Sequence, residues 1–249
     1  MKSHWIISGT SPEGFVWHGG ETVHPNTGTL VEAVIGEPNF KALWWLNEAL
    51  EASKSVARVK LPGGGATGFL VGANVFMTNN HVFENEADAA NAVLQFNYQL
   101  RADGSPAGRD EWVCDPEDMF KTNPSLDYSI VRVKKKDGRN VGDVWGYLNL
   151  RHNTSVAPNQ RVNIIQHPQG RFKEIAFRDN QVKVVGDQYI QYLTDTDYGT
   201  SGSPVFDDWF NVVALHSKRV RDPNSPHRYY RNQGYRIDAI LSDTGDLIP

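Results

Sequence analysis

The sequence predicts an all-β protein made of two strand-rich units in tandem, preceded by an N-terminal extension that carries one helix. Three observations predict it. From Val56 onward the chain breaks into short apolar and β-branched runs punctuated by Gly, Asn, Asp and Pro, the texture of barrels and sandwiches. A polar stretch over residues 134–158, with Gly138, Gly142 and Pro158, divides those runs into two sets. At 249 residues and 39% hydrophobic content, the chain can bury substantial cores without disulfide staples.

The elements follow in order. Residues 1–54 form the extension. Its first 38 residues are rich in Gly, Pro, Thr and His with little periodicity, which predicts irregular structure or short strands. Over 39–54 the character changes: Phe40, Leu43, Trp44 and Leu50 share one side of a helix, widened by Trp45, Leu46 and Ala49. That broad stripe predicts an amphipathic helix with the Trp44-Trp45 pair buried. The first β unit covers 55–133, with strands at 56–61, 68–71, 75–78, 93–98 and 128–133. The connection covers 134–158. The second β unit covers 159–249, with strands at 161–165, 181–185, 189–193 and 211–215.

Composition excludes several classes of function. A net charge of −4, from 25 basic and 29 acidic residues, is opposite to the electrostatic footprint of a nucleic-acid binder. No apolar run approaches the roughly 20 residues of a membrane span. The single cysteine, Cys114, cannot form an intrachain disulfide, which points to a reducing compartment. The three apolar residues Trp5-Ile6-Ile7 are too few for a signal-peptide core. A cytoplasmic location is expected. Lys134-Lys135-Lys136 precedes Asp137-Gly138 and reads as a solvated turn. No Cys/His cluster has metal spacing, so the expected chemistry needs neither metal nor cofactor.

Hydrolysis of a peptide by serine needs a nucleophile, a base, a group that fixes the base's tautomer, and donors for the oxyanion. The run Gly199-Thr200-Ser201-Gly202-Ser203-Pro204 places Ser201 in a turn with small neighbours, where the N–H groups of Gly199 and Ser201 can converge on one oxygen. His81 follows the strand Val75–Thr78 and leaves an imidazole at its edge. Asp127 precedes the apolar strand Tyr128–Val133, where an ionised carboxylate is costly unless paired. Each has a bland structural reading when taken alone. Their joint occurrence in the order His, Asp, Ser is the signal.

With those residues in hand, the chain resembles the chymotrypsin-like serine peptidases, and within them the disulfide-poor bacterial branch that includes the glutamyl endopeptidases. Thr78-Asn79-Asn80-His81-Val82, Leu126-Asp127-Tyr128-Ser129-Ile130 and Gly199-Thr200-Ser201-Gly202-Ser203-Pro204-Val205 carry the resemblance, which covers about residues 55–240. It implies two packed antiparallel six-stranded β-barrels, with His81 and Asp127 from the first and Ser201 with its oxyanion donors from the second. It also implies that Ser217 hydrogen-bonds Asp127 and that Arg219 borders the bound peptide strand. Thr200 stands where trypsin-like zymogens carry an Asp, so activation through an ion pair to a freed N-terminus is not expected.

For substrate choice the resemblance points two ways. Asp195 matches the pocket-floor acid that selects Arg or Lys, whereas Thr196 and His216 match positions that bind an acidic side chain. The expected partner is a protein or peptide substrate. Residues 1–54, which the resemblance does not cover, are expected to be a structural brace around the barrels or a site for a regulatory partner. An effector that cleaves one specific protein and a catalytically suppressed peptide-binding module are the further readings.

Overall fold

The computed structural model of the chain describes residues 7–10, 16–18, 22–23, 30–32, 41–178, 180–222 and 230–249. Contacts divide the chain into two units, residues 1–43 and 44–249. In the first, β1 (Ile7–Thr10) pairs antiparallel with β2 (Val16–His18), and β3 (Thr22–Val23) with β4 (Leu30–Glu32). Phe40 of the expected helical stripe lies outside the described residues.

The second unit opens on α1 (Trp44–Lys54). Its buried side chains are Trp45 and Ala52, while Leu43, Trp44, Leu46 and Leu50 are exposed. The face expected to be buried is thus largely the outer one. Trp45 alone of the tryptophan pair enters the core, against Phe210 at 5.1 Å between ring centroids; Trp44 stacks on the exposed Trp209. Periodicity ranked the wider stripe first, but helix packing needs only the narrow strip that meets the barrels. The Lys173 ammonium donates to the Ser53 carbonyl at 2.5 Å, capping the last turn of α1, where carbonyls lack helical partners and a cation suits the dipole.

Two seven-stranded antiparallel sheets follow. The first contains β5 (Val56–Leu61), β6 (Gly64–Gly72), β7 (Val75–Thr78), β8 (Val93–Phe96), β9 (Asp110–Val113), β10 (Phe120–Asn123) and β11 (Tyr128–Arg132). Its order is β10-β11-β7-β6-β5-β8-β9. The Cys114–Val133 bridge, with Lys134 N–H donating to Val113 O and Asp115 N–H to Arg132 O, closes it into a barrel. Short helix α2 (Glu86–Ala90) lies between β7 and β8, and α3 (Gly142–Trp145) in the connection to the second barrel.

The second contains β12 (Asn163–Gln166), β13 (Glu174–Ala176), β14 (Val182–Val185), β15 (Tyr189–Tyr192), β16 (Pro204–Phe206), β17 (Val212–Arg221) and β18 (Tyr230–Arg236). Its order is β13-β12-β16-β17-β18-β15-β14, and the Arg161–Gln181 bridge with Val162 N–H on Asn180 O closes it. Helix α4 (Ile237–Thr244) follows β18 and runs into a 3₁₀ turn at Gly245–Leu247.

Each sheet thus has seven strands, of which six close the expected barrel through the Cys114–Val133 and Arg161–Gln181 bridges while β10 and β13 extend it at one edge. The additional strands β9, β10, β13, β16 and β18 were not legible because they are short, or carry polar residues such as Lys121-Thr122-Asn123 and Arg231-Asn232-Gln233. The strand read at 93–98 stops at Phe96, where Asn97 takes φ +55°.

Three apolar clusters hold the unit together, and strand alternation creates them. On β6, β7 and β11, Leu70, Phe76 and Val131 fill the first barrel, while their neighbours Phe69, Met77 and Ile130 face the seam between barrels. On β12 and β16, Ile164 and Val205 fill the second barrel and Ile165 and Phe206 face the seam. Both faces of these strands are buried, so they read as continuous apolar runs. Each fully buried side chain of this size contributes about 1.5–3 kcal/mol, and the seam fixes one barrel against the other.

Candidate active site

The first barrel builds its part of the site at two adjacent strand ends. β7 stops at Thr78, and Val82 and Phe83 N–H both return to the Asn79 carbonyl, turning the chain so that His81 stands at the rim. The turn between β10 and β11 is an Asx turn in which Asn123 Oδ1 accepts from Ser125 and Leu126 N–H. It leaves Asp127 at φ +45°, a left-handed conformation that aspartate tolerates better than most residues. Buried Asn79 donates its Nδ2 to the Asp127 carbonyl at 2.8 Å and ties the two turns together.

The Asp127 carboxylate collects three kinds of donor. His81 Nδ1 lies 3.0 Å from both oxygens, His81 N–H donates to Oδ1 at 3.1 Å, and Ser217 Oγ donates to Oδ2 at 2.6 Å. Burial alone would raise the Asp127 pKa; the bonds from His81 and Ser217 outweigh it and hold the carboxyl below its usual value. An ionised carboxylate only accepts, so Nδ1 carries the imidazole proton and Nε2 keeps a lone pair. The Asp127 side chain is 13% exposed and that of His81 45%. One is enclosed and the other faces the cleft.

The second barrel supplies a loop whose backbone is closely specified. Gly199 takes φ +89° and Gly202 φ +85°. A Cβ on Gly202 would lie 2.1 Å from Thr67 O, and one on Gly199 would lie 2.9 Å from His167 O. Only glycine fits at either position. The Tyr198 carbonyl accepts from Gln169 N–H, and the Thr200 carbonyl accepts from Ser203 N–H at 3.0 Å and Ser203 Oγ at 2.7 Å. In a trans peptide the N–H points opposite the carbonyl, so these bonds aim the N–H groups of Gly199 and Ser201 away from the loop's own contacts. Among the described residues neither N–H donates to a protein acceptor. Ser201 is half-buried. It lines a cleft of about 350 Å³ together with His81, Val82, Tyr198, Gly199 and the β5–β6 hairpin, through Leu61 and residues 63–66.

The other expected residues divide. Ser217 meets Asp127 as described. Its neighbour His216 turns the opposite way, is fully buried, and places Nδ1 2.7 Å from the Tyr192 hydroxyl. Burial, with the nearby His81 adding to it, lowers the His216 pKa to about 3 and keeps the ring neutral. Thr196 is half-buried. Asp195 is exposed and is engaged through its carbonyl, by Gln166 Nε2 at 3.2 Å. An exposed Asp195 differs from the enclosed pocket-floor acid of one expected reading and leaves the other reading in place. Arg219 is exposed on β17, with its guanidinium 4.9 Å from the Tyr230 ring centroid. Thr200, in place of the zymogen Asp, accepts from Asp197 N–H at 3.1 Å and serves its own loop. Lys136 of the basic run pairs with Asp110 at 2.8 Å.

Sequence reasoning missed Asn79 as the tie between the two turns, Tyr192 as partner of His216, and Tyr198 with the glycine hairpin as walls of the cleft. The run Pro62-Gly63-Gly64-Gly65 was a visible signal for a close approach. Tyr192, inside an apolar strand, offered none. Among the described residues no group of three or more His, Cys, Asp and Glu side chains could hold a metal ion, and no helix is long and apolar enough to cross a membrane.

Comparison with known proteins bears on this geometry. Residues 66–215 match the model of the trypsin-like peptidase domain. The uncharacterized protein y4fB of Sinorhizobium fredii (strain NBRC 101917 / NGR234) is 34% identical over 87% of this chain and 39% of its own length. The secreted RxLR effector protein 73 of Plasmopara viticola is 32% identical over 68% of this chain and 46% of its own. A glutamyl endopeptidase of Staphylococcus aureus (strain MW2) is 24% identical over 61% of this chain and 46% of its own. The chain thus spans less than half the length of these curated relatives. Among solved structures, a Glu endopeptidase in complex with MPD superposes with a TM-score of 0.56 at 18% identity, over 77% of this chain and 88% of that one. That likeness speaks for the double-barrel fold.

Proposed function

Because the chain belongs to the trypsin-like peptidase family, we propose that it is a serine endopeptidase in which Ser201 is the nucleophile, His81 the general base and Asp127 its orienter. The observation that carries this reading is the Asp127 carboxylate, held by His81 Nδ1 and Ser217 Oγ, with His81 and Ser201 on one cleft. Ser201 Oγ attacks the scissile carbonyl carbon while its proton passes to His81 Nε2. The oxyanion forms against the N–H groups of Gly199 and Ser201. The imidazolium, stabilised by Asp127, then protonates the leaving amine, and the acyl-enzyme remains. Water completes the cycle by the same path in reverse.

The peptide has a ready edge to bind. β16 pairs with β17 only up to Leu215, so residues 218–221 of β17 are paired by β18 alone among the described strands. Strand addition there would bring a peptide to Ser201. For the side chain preceding the scissile bond, the exposure of Asp195 favours acidic or polar residues over basic ones. His216 supports the same choice. In the tautomer in which Tyr192 O–H donates to its Nδ1, the neutral ring keeps a donor at Nε2 for a carboxylate or amide.

Fluorophosphonate labelling followed by peptide mapping, with digestion of a denatured protein, tests the proposal. Label on Ser201, lost in Ser201→Ala and strongly reduced in His81→Ala, is the expected result. A parent that neither labels nor cleaves would leave a protease-like peptide-binding module in its place. Peptide-library profiling tests the side-chain preference, and a dominant Arg or Lys before the cut would overturn it.

A further inference from the structure

Four consecutive carbonyls of the nucleophile loop, from Tyr198 to Ser201, each accept a hydrogen bond, and two of the four go to a single residue of the other barrel. Thr67, in the middle of β6, donates its N–H to the Ser201 carbonyl at 2.9 Å and its Oγ1 to the Gly199 carbonyl at 2.9 Å. The same Oγ1 accepts from His167 N–H at 3.0 Å, and the Thr67 carbonyl accepts from Thr78 Oγ1 at 2.8 Å. The side chain is fully buried. Since a backbone N–H can only donate, the hydroxyl proton must lie toward Gly199.

We propose that Thr67 is a positioning residue for the oxyanion donors, an inter-barrel pin through which the first barrel sets the backbone of the second barrel's nucleophile loop. The inference rests on the endopeptidase reading above. The Gly199–Thr200 peptide lies between the two donors, so its orientation governs whether both N–H groups meet one oxygen. Glycine at 199, with φ +89°, has the conformational freedom to let that peptide turn. Thr67 Oγ1 removes that freedom from one side, and the close approach of Thr67 O to Gly202 limits the loop's retreat. The pin acts through the backbone, so its loss should weaken transition-state stabilisation and leave ground-state peptide binding in place.

The test compares Thr67→Val, which keeps the shape and removes the hydroxyl, with Thr67→Ser, which restores it. Thr67→Val is expected to lower kcat by on the order of tenfold to a hundredfold, approaching the loss of one oxyanion donor, with KM within about twofold. Its affinity for a peptide boronic acid, which engages the oxyanion site, should fall in parallel with kcat. Thr67→Ser is expected within about threefold of the parent in each measure. Should Thr67→Val fail to fold, Thr67→Cys, with a weaker donor of similar size, should fall below Thr67→Ser in kcat. A kcat for Thr67→Val, or for its Cys substitute, equal to that of Thr67→Ser overturns the inference, as does a loss confined to KM. A parent that does not label at Ser201 overturns both readings. A parent that labels while Thr67→Val labels at the same rate overturns this one alone.

Discussion

The two barrels meet at one cleft but bring different kinds of group to it. The first barrel presents side chains, His81 and Asp127, from turns braced by Asn79 and Asn123. The second presents mainly backbone, a loop with two positive-φ glycines whose carbonyls are each held so that two N–H groups are left aimed outward. Side-chain chemistry tolerates a modest shift of the backbone beneath it, whereas a pair of backbone donors works only at one peptide orientation. Damage to the first barrel's contribution should therefore appear as lost proton transfer in a folded protein. Damage to the second's should appear as a deformed loop.

The sharpest test of that contrast is Asp127→Asn. It keeps shape and burial but inverts what His81 Nδ1 must do, and kcat should fall by on the order of 10⁴ with the melting temperature little changed. A drop below about tenfold would break the first half of the comparison. Gly202→Ala tests the second half. Its Cβ would meet Thr67 O and Thr78 Oγ1 at 2.1 and 2.3 Å, at φ +85°. Strain and overpacking together should cost about 2–6 kcal/mol by denaturant unfolding, with activity falling alongside.

Acid stability separates the barrels again. His167 and His216, both in the second barrel, are kept neutral by burial with pKa values pushed down to about 3. In the unfolded chain each takes up its proton near the ordinary value of about 6.5. Below that pH the unfolded state binds more protons, so stability is complete above about 6.5 and falls as pH drops toward 3. The slope should be about 1.4 kcal/mol per pH unit for each histidine. Melting curves between pH 6 and 4.5 should show it, and His216→Asn should halve it. An unchanged slope would place the acid sensitivity elsewhere.

Ser217→Ala should have the smallest effect. It removes one charge-assisted bond to Asp127 while both His81 contacts remain, and kcat should fall about tenfold, near the 1.4 kcal/mol scale of such a bond. The Asp127 pKa should rise, because that bond is among those holding it down. NMR titration of the Asp127 carboxyl reads this out, and an unmoved titration would show that His81 alone sets the carboxylate.

Much of this site was legible because its residues sit in short motifs whose neighbours are constrained by geometry. Gly199 and Gly202 are required by positive φ and by close approach of other backbone, so they mark the loop in one dimension as plainly as in three. Asp127 was legible as a costly acid beside an apolar strand. Its partners His81 and Ser217 were implied only by the resemblance, and it is the tertiary structure that brings Ser217 to it from 90 positions away. The fold class, the two strand-rich units and the candidate His-Asp-Ser set needed only local pattern.

What the tertiary structure decided depends on which surfaces meet. Helix α1 carries more apolar residues than its contact strip can cover, so periodicity could not say that Trp45 packs while Leu43, Leu46 and Leu50 stay exposed. β10 hides in polar sequence because it is an edge strand paired to β11 alone, and β18 because several of its polar side chains stay only half-buried although ladders hold both its flanks. The exposure of Asp195 and the burial of His216 are likewise decided in three dimensions. Local sequence determines which conformations each residue can afford; burial and hydrogen bonding across the barrel seam select among them.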